Sequence, residues 1–421
     1  MVMRFQLDED KRLTVLKVVG IGGAGGNAVN RMVNIEFSGA DFIAMNTDLQ
    51  VLRESEAQQC VQLGEQITRG LGSGGDPELG RKAAEESREV LREQLQGADM
   101  IFLTAGMGGG TGTGASPVIA AVARETGALT VGVVTKPFFF EGDQRLAQAE
   151  TGIEELRKEV DTLLVIPNDK LLAITEENTT LIDAFSLADE VLCNATRGIS
   201  DLITRTGVVN LDFADVRSVM SNGGNAVMGT GIANGEDGAK LAAETAISSP
   251  LLDNVSIKGA SDILVNITGS SSLSLQQVSK AATIINKEAG PGVHVFLGAV
   301  IDDQQPSEEI RVTVIATGFN VGQPRQAPLV AEEPKKEINF TELLGSDRPV
   351  VELSPDQPVR AAFTQVPERA VQLAPVNEAS HIEPASKPAE EDETIVIENG
   401  SIRSYNTDKY RVPTFVRKQM D

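Results

Sequence analysis

The sequence contains no tryptophan and only two tyrosines, two histidines and two cysteines among its 421 residues. Cys60 and Cys193 cannot build a disulfide framework, which excludes the small disulfide-stabilised folds of secreted proteins. No run approaches the roughly 20 apolar residues that a membrane-spanning helix requires. No N-terminal stretch combines a basic start, an apolar core and a small-residue cleavage site. We therefore expect a cytoplasmic protein without direct membrane insertion.

Basic residues are also scarce, because 37 Lys and Arg face 60 Asp and Glu, for a formal net charge of −23. The average surface should repel a nucleic-acid backbone, so we expect no nucleic-acid partner. An anionic ligand would have to be held locally, by backbone N–H groups and a few well-placed cations. The length corresponds to two or three domains, each large enough to bury its own core.

The composition changes abruptly after Gly318. Residues 320–421 hold 11 of the 18 prolines but only 3 of the 40 glycines, and they show few periodic apolar runs. This composition is typical of a segment that cannot bury enough surface to offset the entropy of ordering. We divide the chain into a flexible N-terminus (1–12), a nucleotide-binding domain (13–180), a central helix (181–206), a C-terminal domain (207–318), a disordered linker (319–404) and a terminal peptide (405–421).

The part before Gly318 alternates short apolar strands with helical stretches, which predicts an α/β fold. Strands are predicted at Leu13–Val19, Asp41–Met45, Met100–Thr104, Leu129–Thr135, Thr162–Ile166, Gly259–Thr268, Val293–Val300 and Arg311–Thr317, and helices at Pro77–Leu95 and Ser116–Arg124. Apolar residues at alternating spacings of four and three from Leu181 predict a long helix ending near Gly207. The predicted architecture is a Rossmann-like parallel-sheet domain, joined by this helix to a smaller α/β domain.

The first predicted strand leads into a glycine-rich turn, Gly20–Asn27, which satisfies G-x-G-x-x-G. Such glycines let the backbone approach a phosphate closely, while the following helix presents free N–H groups. The motif alone leaves two alternatives open: a tight turn without a ligand, and the dinucleotide site of an oxidoreductase. A dinucleotide site requires an acidic residue about 20 positions after the glycine motif. Glu36, Asp41 and Asp48 are imperfect candidates for this residue.

A second glycine-rich turn, Gly106–Gly114, follows the strand predicted at Met100–Thr104 and holds six glycines in nine positions. Threonine hydroxyls lie between these glycines and add side-chain donors to a set of backbone N–H groups, which suits a di- or triphosphate. Ser116 and Pro117 predict the start of the next helix, as a cap and a first-turn proline. The chain has no G-x-x-x-x-G-K-[ST], so a P-loop is excluded.

The segment Gly108–Gly114 is similar to the tubulin signature loop. Together with Gly20–Asn27, it makes the sequence resemble the tubulin/FtsZ family, and in particular the family's bacterial cell-division GTPases. The resemblance covers residues 13–318 and resumes at the C-terminus. It implies binding of GTP and GDP with nucleotide-bound Mg²⁺, K⁺ as a further candidate, and no metal site built by the chain. The residues it places on the nucleotide are Gly22, Gly23, Ala24, Gly25, Gly26, Asn27, Ser73, Gly106, Gly109, Gly110, Thr111, Gly112, Pro137, Glu141, Arg145, Asn168, Phe185 and Asp189.

Five of these residues have an ordinary structural interpretation besides the functional one. For Ser73, it is a plain surface loop, Gly70–Gly75, whereas the resemblance places this residue near the terminal phosphate. Glu141 and Arg145 are four residues apart, which fits a surface ion pair; the resemblance places them on the ribose hydroxyls and at the sugar and phosphate edge. Phe185 and Asp189 share one face of the long helix, where a phenylalanine is usually core and an aspartate usually solvated. The resemblance assigns Phe185 to stacking on the base and Asp189 to the two hydrogen-bond donors of guanine.

The acidic segment 210–215, just beyond the long helix, contains the candidate catalytic residues. Asp212 and Asp215 fit the start of a helix, with Asp212 as its cap. By resemblance, the segment is instead a loop that one subunit inserts into its neighbour's nucleotide pocket. Asp212 and Asp215 would then polarise the attacking water, with Asn210 beside the terminal phosphate. Such head-to-tail contacts generate a filament, a homopolymer of protofilaments in which GTP hydrolysis depends on assembly.

The terminal peptide 405–421 brings back aromatic and apolar residues, among them Tyr410 and Phe415, beside Arg417 and Lys418. This profile fits a segment that folds on a partner's groove, and by resemblance it would recruit membrane-anchoring and regulatory division proteins. The resulting hypothesis is a GTPase of the bacterial cytokinetic ring, concentrated at mid-cell. Two alternatives are a dinucleotide-dependent oxidoreductase and a nucleotide-binding scaffold that does not hydrolyse its ligand.

Overall fold

The structure, a computed structural model, describes residues 14–319 except 36, 38, 173–174, 176–178, 206, 222, 253–256 and 303–307. The predicted N-terminal segment 1–12, the linker from residue 320 onward and the terminal peptide 405–421 lie outside the described residues.

Ten strands of the described chain form one sheet in the order β3-β2-β1-β4-β5-β6-β7-β10-β8-β9. They are β1 (Leu16–Ile21), β2 (Ala40–Asn46), β3 (Gln59–Gln62), β4 (Met100–Gly106), β5 (Leu129–Lys136), β6 (Thr162–Pro167), β7 (Gly224–Asn234), β8 (Asp262–Gly269), β9 (His294–Ile301) and β10 (Glu309–Thr317). The pairings from β3 to β7 are parallel, β10 is antiparallel to both β7 and β8, and β9 is parallel to β8. This mostly parallel α/β sheet confirms the predicted fold class.

Helices cover both faces of the sheet. They are α1 (Gly22–Asn34), α2 (Leu49–Arg53), α3 (Glu65–Thr68), α4 (Pro77–Glu86), α5 (Arg88–Leu95), α6 (Thr111–Glu125), α7 (Asp143–Arg157), α8 (Asn168–Leu172), α9 (Leu181–Thr204), α10 (Phe213–Met220), α11 (Gly238–Ile247) and α12 (Leu275–Ala289). One core packs α1 and α9 against the sheet, a second packs α4 to α7 on the opposite face, and a third lies under α11 and α12.

The strand order reverses between β1 and β4, because the chain leaves β1 for β2 and later returns to β4 on the other side. In open parallel sheets, ligands bind outside the carboxyl ends of the strands at such a switch point. The two glycine-rich turns follow β1 and β4, so the fold brings both of them to this position.

The long helix α9 lies between β6 and β7 in the chain and packs against α1 and β5, and its presence confirms the helix that the apolar spacing predicts. The Thr180 hydroxyl caps it by accepting a hydrogen bond from the Asp183 amide. Near its other end, Arg197 and Arg205 each bridge Asp201 and Asp302, with N–O distances of 2.7–3.2 Å. Both carboxylates are buried. This cluster of four charges links the helix to the residue that follows β9.

Several predicted boundaries differ from the structure. The helix predicted from Ser116 begins at Thr111, so Pro117 lies inside it and not in its first turn. The helix predicted over Pro77–Leu95 is divided at Ser87, whose hydroxyl accepts a hydrogen bond from the Gly64 amide. Strands β3 and β7 were not predicted from the sequence.

Candidate functional site

The two glycine-rich turns are in direct contact at the carboxyl ends of β1 and β4. A Cβ atom on Gly22 would lie 3.0 Å from the amide nitrogen of Gly112, and one on Gly106 would lie 2.7 Å from the Cβ of Ala24. Gly22 also has a φ of 72°, which side-chain-bearing residues rarely adopt. Glycine is therefore required here for both close approach and backbone conformation.

Helices α1 and α6 begin at this contact and both direct their N-termini into it. The residues before them, Ile21 and Gly110, provide no side-chain cap, so the first-turn N–H groups have no side-chain acceptor there. Apart from the adjacent residues and the backbone of the same helix, no described atom lies within 4 Å of the positions that Cβ atoms on Gly26 or Gly109 would occupy. Free N–H groups, two positive helix ends and open space form a site that suits a phosphate chain.

Three hydroxyl groups line the same site. The Thr111 hydroxyl lies 2.7 Å from that of Thr47 and 3.0 Å from that of Ser73, and all three side chains are buried. The structure thus brings the predicted residues Ser73 and Thr111 together. Thr47 was missed by the sequence reasoning, although its position directly after β2 was an available signal.

The predicted ribose side of the site is formed around Glu141. The Glu141 carboxylate accepts hydrogen bonds from the Phe138 amide at 2.9 Å and from the Arg145 guanidinium at 2.6 Å. A Cβ atom on Gly108 would lie 2.8 Å from the Arg145 carbonyl oxygen and 3.2 Å from Cγ of Pro137. The surface ion pair and the proximity to the second glycine-rich turn therefore both occur, so neither interpretation of Glu141 and Arg145 excludes the other.

An aromatic cluster lies beside this segment. The ring of Phe185 packs edge-on against Phe138 at 5.3 Å and against Phe140 at 6.4 Å, and the rings of Phe138 and Phe140 stack at 5.1 Å. Phe138 and Phe140 were not predicted. Asn168 follows β6 and is buried, and its Oδ1 atom has no hydrogen-bond partner among the described residues. An unpaired buried acceptor is costly without a ligand, so it supports a polar ligand at this point.

Asp189 lies one helical turn after Phe185 on α9 and faces α1. Desolvation raises the pKa of its carboxyl group to about 7, against an opposing effect of Arg31. Arg31, on α1, forms an ion pair of 2.8 Å with Glu190. With this pKa, the carboxyl group is ionised in a fraction of the molecules near neutral pH. In its ionised form it can accept hydrogen bonds from a nucleotide base.

The acidic segment is not part of this group of residues. The Asp212 carboxylate caps α10 by accepting a hydrogen bond from the Asp215 amide at 2.8 Å, and the Asn210 side chain accepts one from the Gly207 amide at 2.5 Å. Helix α10 lies at the other edge of the sheet, because Arg217 donates to the carbonyl of Asp99, the residue preceding β4. A strand of seven residues spans about 20 Å, so the length of β4 separates the Arg217 contact, on the same helix that Asp212 caps, from the glycine-rich turn at the other end of the strand.

The described residues contain neither a candidate metal cluster nor a helix that could span a membrane. No group of three or more His, Cys, Asp or Glu residues there could hold a metal ion. Within the same part of the chain, no helix has the length and apolar character needed to cross a membrane.

The residues present fit a purine nucleotide di- or triphosphate. The helix N-termini and the hydroxyl groups suit its phosphates, Glu141 and Arg145 suit its sugar, and Phe185 and Asp189 suit its base. The positions of the predicted side chains are compatible with these roles, which stay predictions.

Comparison with known proteins identifies the fold. Residues 15–176 match the Tubulin/FtsZ family GTPase domain, and residues 224–320 match the C-terminal domain of the FtsZ family. A solved empty FtsZ dimer from M. jannaschii is 43% identical, with a TM-score of 0.70, covering 74% of this chain and 89% of that one.

Two more distant structures from Haloferax volcanii share the fold at 21% identity. They are CetZ2 as a GTPγS-bound protofilament, with a TM-score of 0.60 and coverage of 73% of this chain and 93% of that one, and CetZ1 as a GDP-bound monomer, with a TM-score of 0.63 and coverage of 73% and 95%. On the family models and the 43% identity to FtsZ, the chain belongs to the Tubulin/FtsZ family of GTPases.

Proposed function

We propose that this chain is a self-assembling GTPase whose catalytic site is completed by a second copy. GTP bound at the two glycine-rich turns of one subunit is hydrolysed with Asp212 and Asp215 of the next, and Asn210 lies beside the terminal phosphate. The observation that carries this proposal is the placement of the nucleotide residues and the acidic segment at opposite edges of one sheet. Head-to-tail stacking joins these edges and propagates as a filament.

Exposed apolar side chains at both edges support assembly. On the nucleotide edge, Leu71 is 79% exposed and Phe139 is 71% exposed, and beside the acidic segment Val208 is 75% exposed. Large apolar groups at such exposure are typical of an interface when they occur together next to a polar site. Burial between two copies would remove this surface from water.

The chemistry requires little from the chain beyond positioning and charge. Phosphoryl transfer is catalysed chiefly by orienting the nucleophile and stabilising charge on the transferred group. Asp212 uses one carboxylate oxygen to cap α10. The cap therefore fixes the orientation of the carboxylate, and its second oxygen can still bind a water molecule. The first-turn amides of α1 and α6 would hold the phosphates, and Mg²⁺ bound with the nucleotide would neutralise part of their charge. A role for K⁺ belongs to the same proposal.

The cap itself favours one alternative function. If Asp212 served only to start α10, the protein would bind GTP and assemble without hydrolysing it. Asp212→Ala distinguishes the two functions, with Asp237→Ala as a control on an exposed acidic residue remote from α10. We expect Asp212→Ala to retain GTP affinity and polymers while phosphate release is lost. Normal turnover per bound GTP in this variant would contradict the catalytic role.

The family and the predicted terminal peptide support a proposal for the cellular role. We propose that the filament forms the division ring of a bacterial cell at mid-cell, and that residues 405–421 bind membrane-anchoring and regulatory proteins. Deletion of 405–421 should leave GTP turnover and assembly of the purified protein intact and abolish its placement at the division site. A variant without this peptide that still assembles at mid-cell would refute the role of the peptide.

A further inference from the structure

Arg69 has an unusual backbone conformation at the nucleotide edge of the sheet. Its φ is 53°, and no other non-glycine residue of the described chain has a positive φ. It follows the short helix α3, at a left-handed position that helices usually fill with glycine. An arginine there costs free energy that a glycine would not.

The local fold does not require the arginine side chain. The Arg69 amide donates to the Glu65 carbonyl at 3.1 Å, the Leu71 amide to the Thr68 carbonyl at 3.0 Å, and the Gly72 amide to the Thr47 carbonyl at 3.1 Å. All of these are backbone contacts. The Arg69 guanidinium is exposed, and it makes no hydrogen bond or ion pair with the described part of the chain. The cost of this conformation is therefore not offset within one subunit.

The position of Arg69 indicates where the guanidinium could act. The segment 69–73 is fixed to residues 47–49, directly after β2, and it ends at Ser73 beside Thr111. Leu71, two residues further along, is the 79% exposed residue of the nucleotide edge. Arg69 thus lies on the surface that faces the next subunit in the proposed filament.

Charge complementarity favours the acidic edge of a second copy as the occupant of this surface. Asp212 is exposed at that edge and Asp215 is half-buried. The glycine-rich segments Gly20–Asn27, Gly70–Asp76 and Gly106–Gly114 contain no lysine or arginine. In a chain of net charge −23, like charge opposes the stacking of two copies, and a cation at the contact reduces this repulsion.

We propose that Arg69 is a contact between subunits: its guanidinium pairs with the carboxylate of Asp215 on the acidic edge of a second copy, so the contact persists in Asp212→Ala, while Leu71 packs beside it. This inference rests on the proposed function, because it needs the two edges to meet. The left-handed conformation holds the side chain outward, toward the partner.

Substitution of Arg69 separates this role from a structural one. Arg69→Glu should raise the protein concentration at which GTP turnover begins by at least about tenfold, since like charges then oppose each other. Arg69→Gly should also raise it, while its thermal unfolding midpoint stays equal to or above that of the wild type. Lys280→Glu, with the same charge change on an exposed position of α12, should leave the threshold unchanged. A destabilised Arg69→Gly variant, or an unchanged threshold in Arg69→Glu, would overturn the proposal.

A mixing experiment locates Arg69 on the nucleotide edge. Asp212→Ala has an intact nucleotide edge and a defective acidic edge, and Arg69→Glu should have the reverse. With Asp212→Ala below its own assembly threshold and Arg69→Glu in excess, GTP turnover should rise several-fold above the sum of the two proteins measured separately. Absence of this increase contradicts the placement of Arg69.

A parallel mixture distinguishes a failure of the Arg69 contact from a failure of the shared catalytic site. Asp189→Ala should not bind GTP but should keep its acidic edge, so it replaces Arg69→Glu in an otherwise identical mixture. Recovery with Asp189→Ala but not with Arg69→Glu refutes the Arg69 inference and leaves the shared site intact. Failure of both mixtures refutes the shared site itself.

Discussion

The raised pKa of Asp189 leads to a pH dependence of nucleotide binding that a substitution can remove. Guanine offers two hydrogen-bond donors on one edge, and only the ionised carboxylate accepts both. In the free protein, burial raises the pKa of Asp189 to about 7. A proton must therefore be released on binding below that pH, and affinity should fall as the pH falls through 7.

The size of the effect follows from the fraction of ionised sites. With a pKa of about 7, the apparent dissociation constant is about 11 times its intrinsic value at pH 6 and about 1.1 times at pH 8. Wild-type affinity for GDP should thus fall about tenfold more between pH 8 and pH 6 than that of Asp189→Asn, whose amide does not titrate. The phosphates of GDP titrate in both experiments, so the difference between the proteins isolates residue 189.

Isothermal titration calorimetry with GDP at pH 6, 7 and 8 measures this difference without filament assembly. Unliganded stability provides an independent check. A carboxyl group with a raised folded pKa loses stability as the pH rises from about 4 to about 7, because the unfolded chain ionises first. Asp189→Asn should therefore gain stability relative to wild type at pH 8 and not at pH 4. Equal pH dependence of GDP affinity in the two proteins would refute the assignment of Asp189 to the base.

Two further predictions concern packing and buried charge. Gly112→Ala should lower GTP affinity, because its Cβ atom would lie 2.4 Å from the Gly106 carbonyl oxygen and force the two turns apart; filter binding measures the loss, and unchanged affinity would contradict it. Arg205→Ala should lower the free energy of unfolding by about 3–5 kcal/mol, since buried Asp302 loses a partner. Lys258→Ala, at an exposed pair with Glu288, should cost less than about 1 kcal/mol in the same urea titrations; equal losses in both variants would contradict the account of the buried cluster.

The sequence predicts the parts of the fold that have strong local patterns. The apolar stripe from Leu181 predicts α9, and the short β-branched runs predict the central parallel strands. Strand β7 was missed because its sequence, from Gly224 to Asn234, mixes three glycines with small residues and lacks alternation. The start of α6 was misplaced because glycines disfavour helix by propensity, whereas packing against β4 and α4 imposes helix from Thr111.

Contacts between distant segments could not be predicted from the sequence, for a different reason. The pairing of Thr47 with Thr111 and the packing of Phe138 on Phe185 depend on which strand ends become neighbours, and that is decided by sheet order. The resemblance supplied the site residues that motifs could reach, such as Asp189. It could not supply the separation of the acidic segment from the glycine-rich turns, which the register of β4 determines.

GTP turnover per subunit across a dilution series, with light scattering recorded in parallel, tests the shared catalytic site most directly. If the acidic segment of one copy completes the nucleotide site of another, turnover per subunit should be nearly absent in dilute protein. It should then rise at the same concentration as scattering. Constant turnover per subunit from the lowest to the highest concentration would show that a single chain is catalytically complete and would contradict the account.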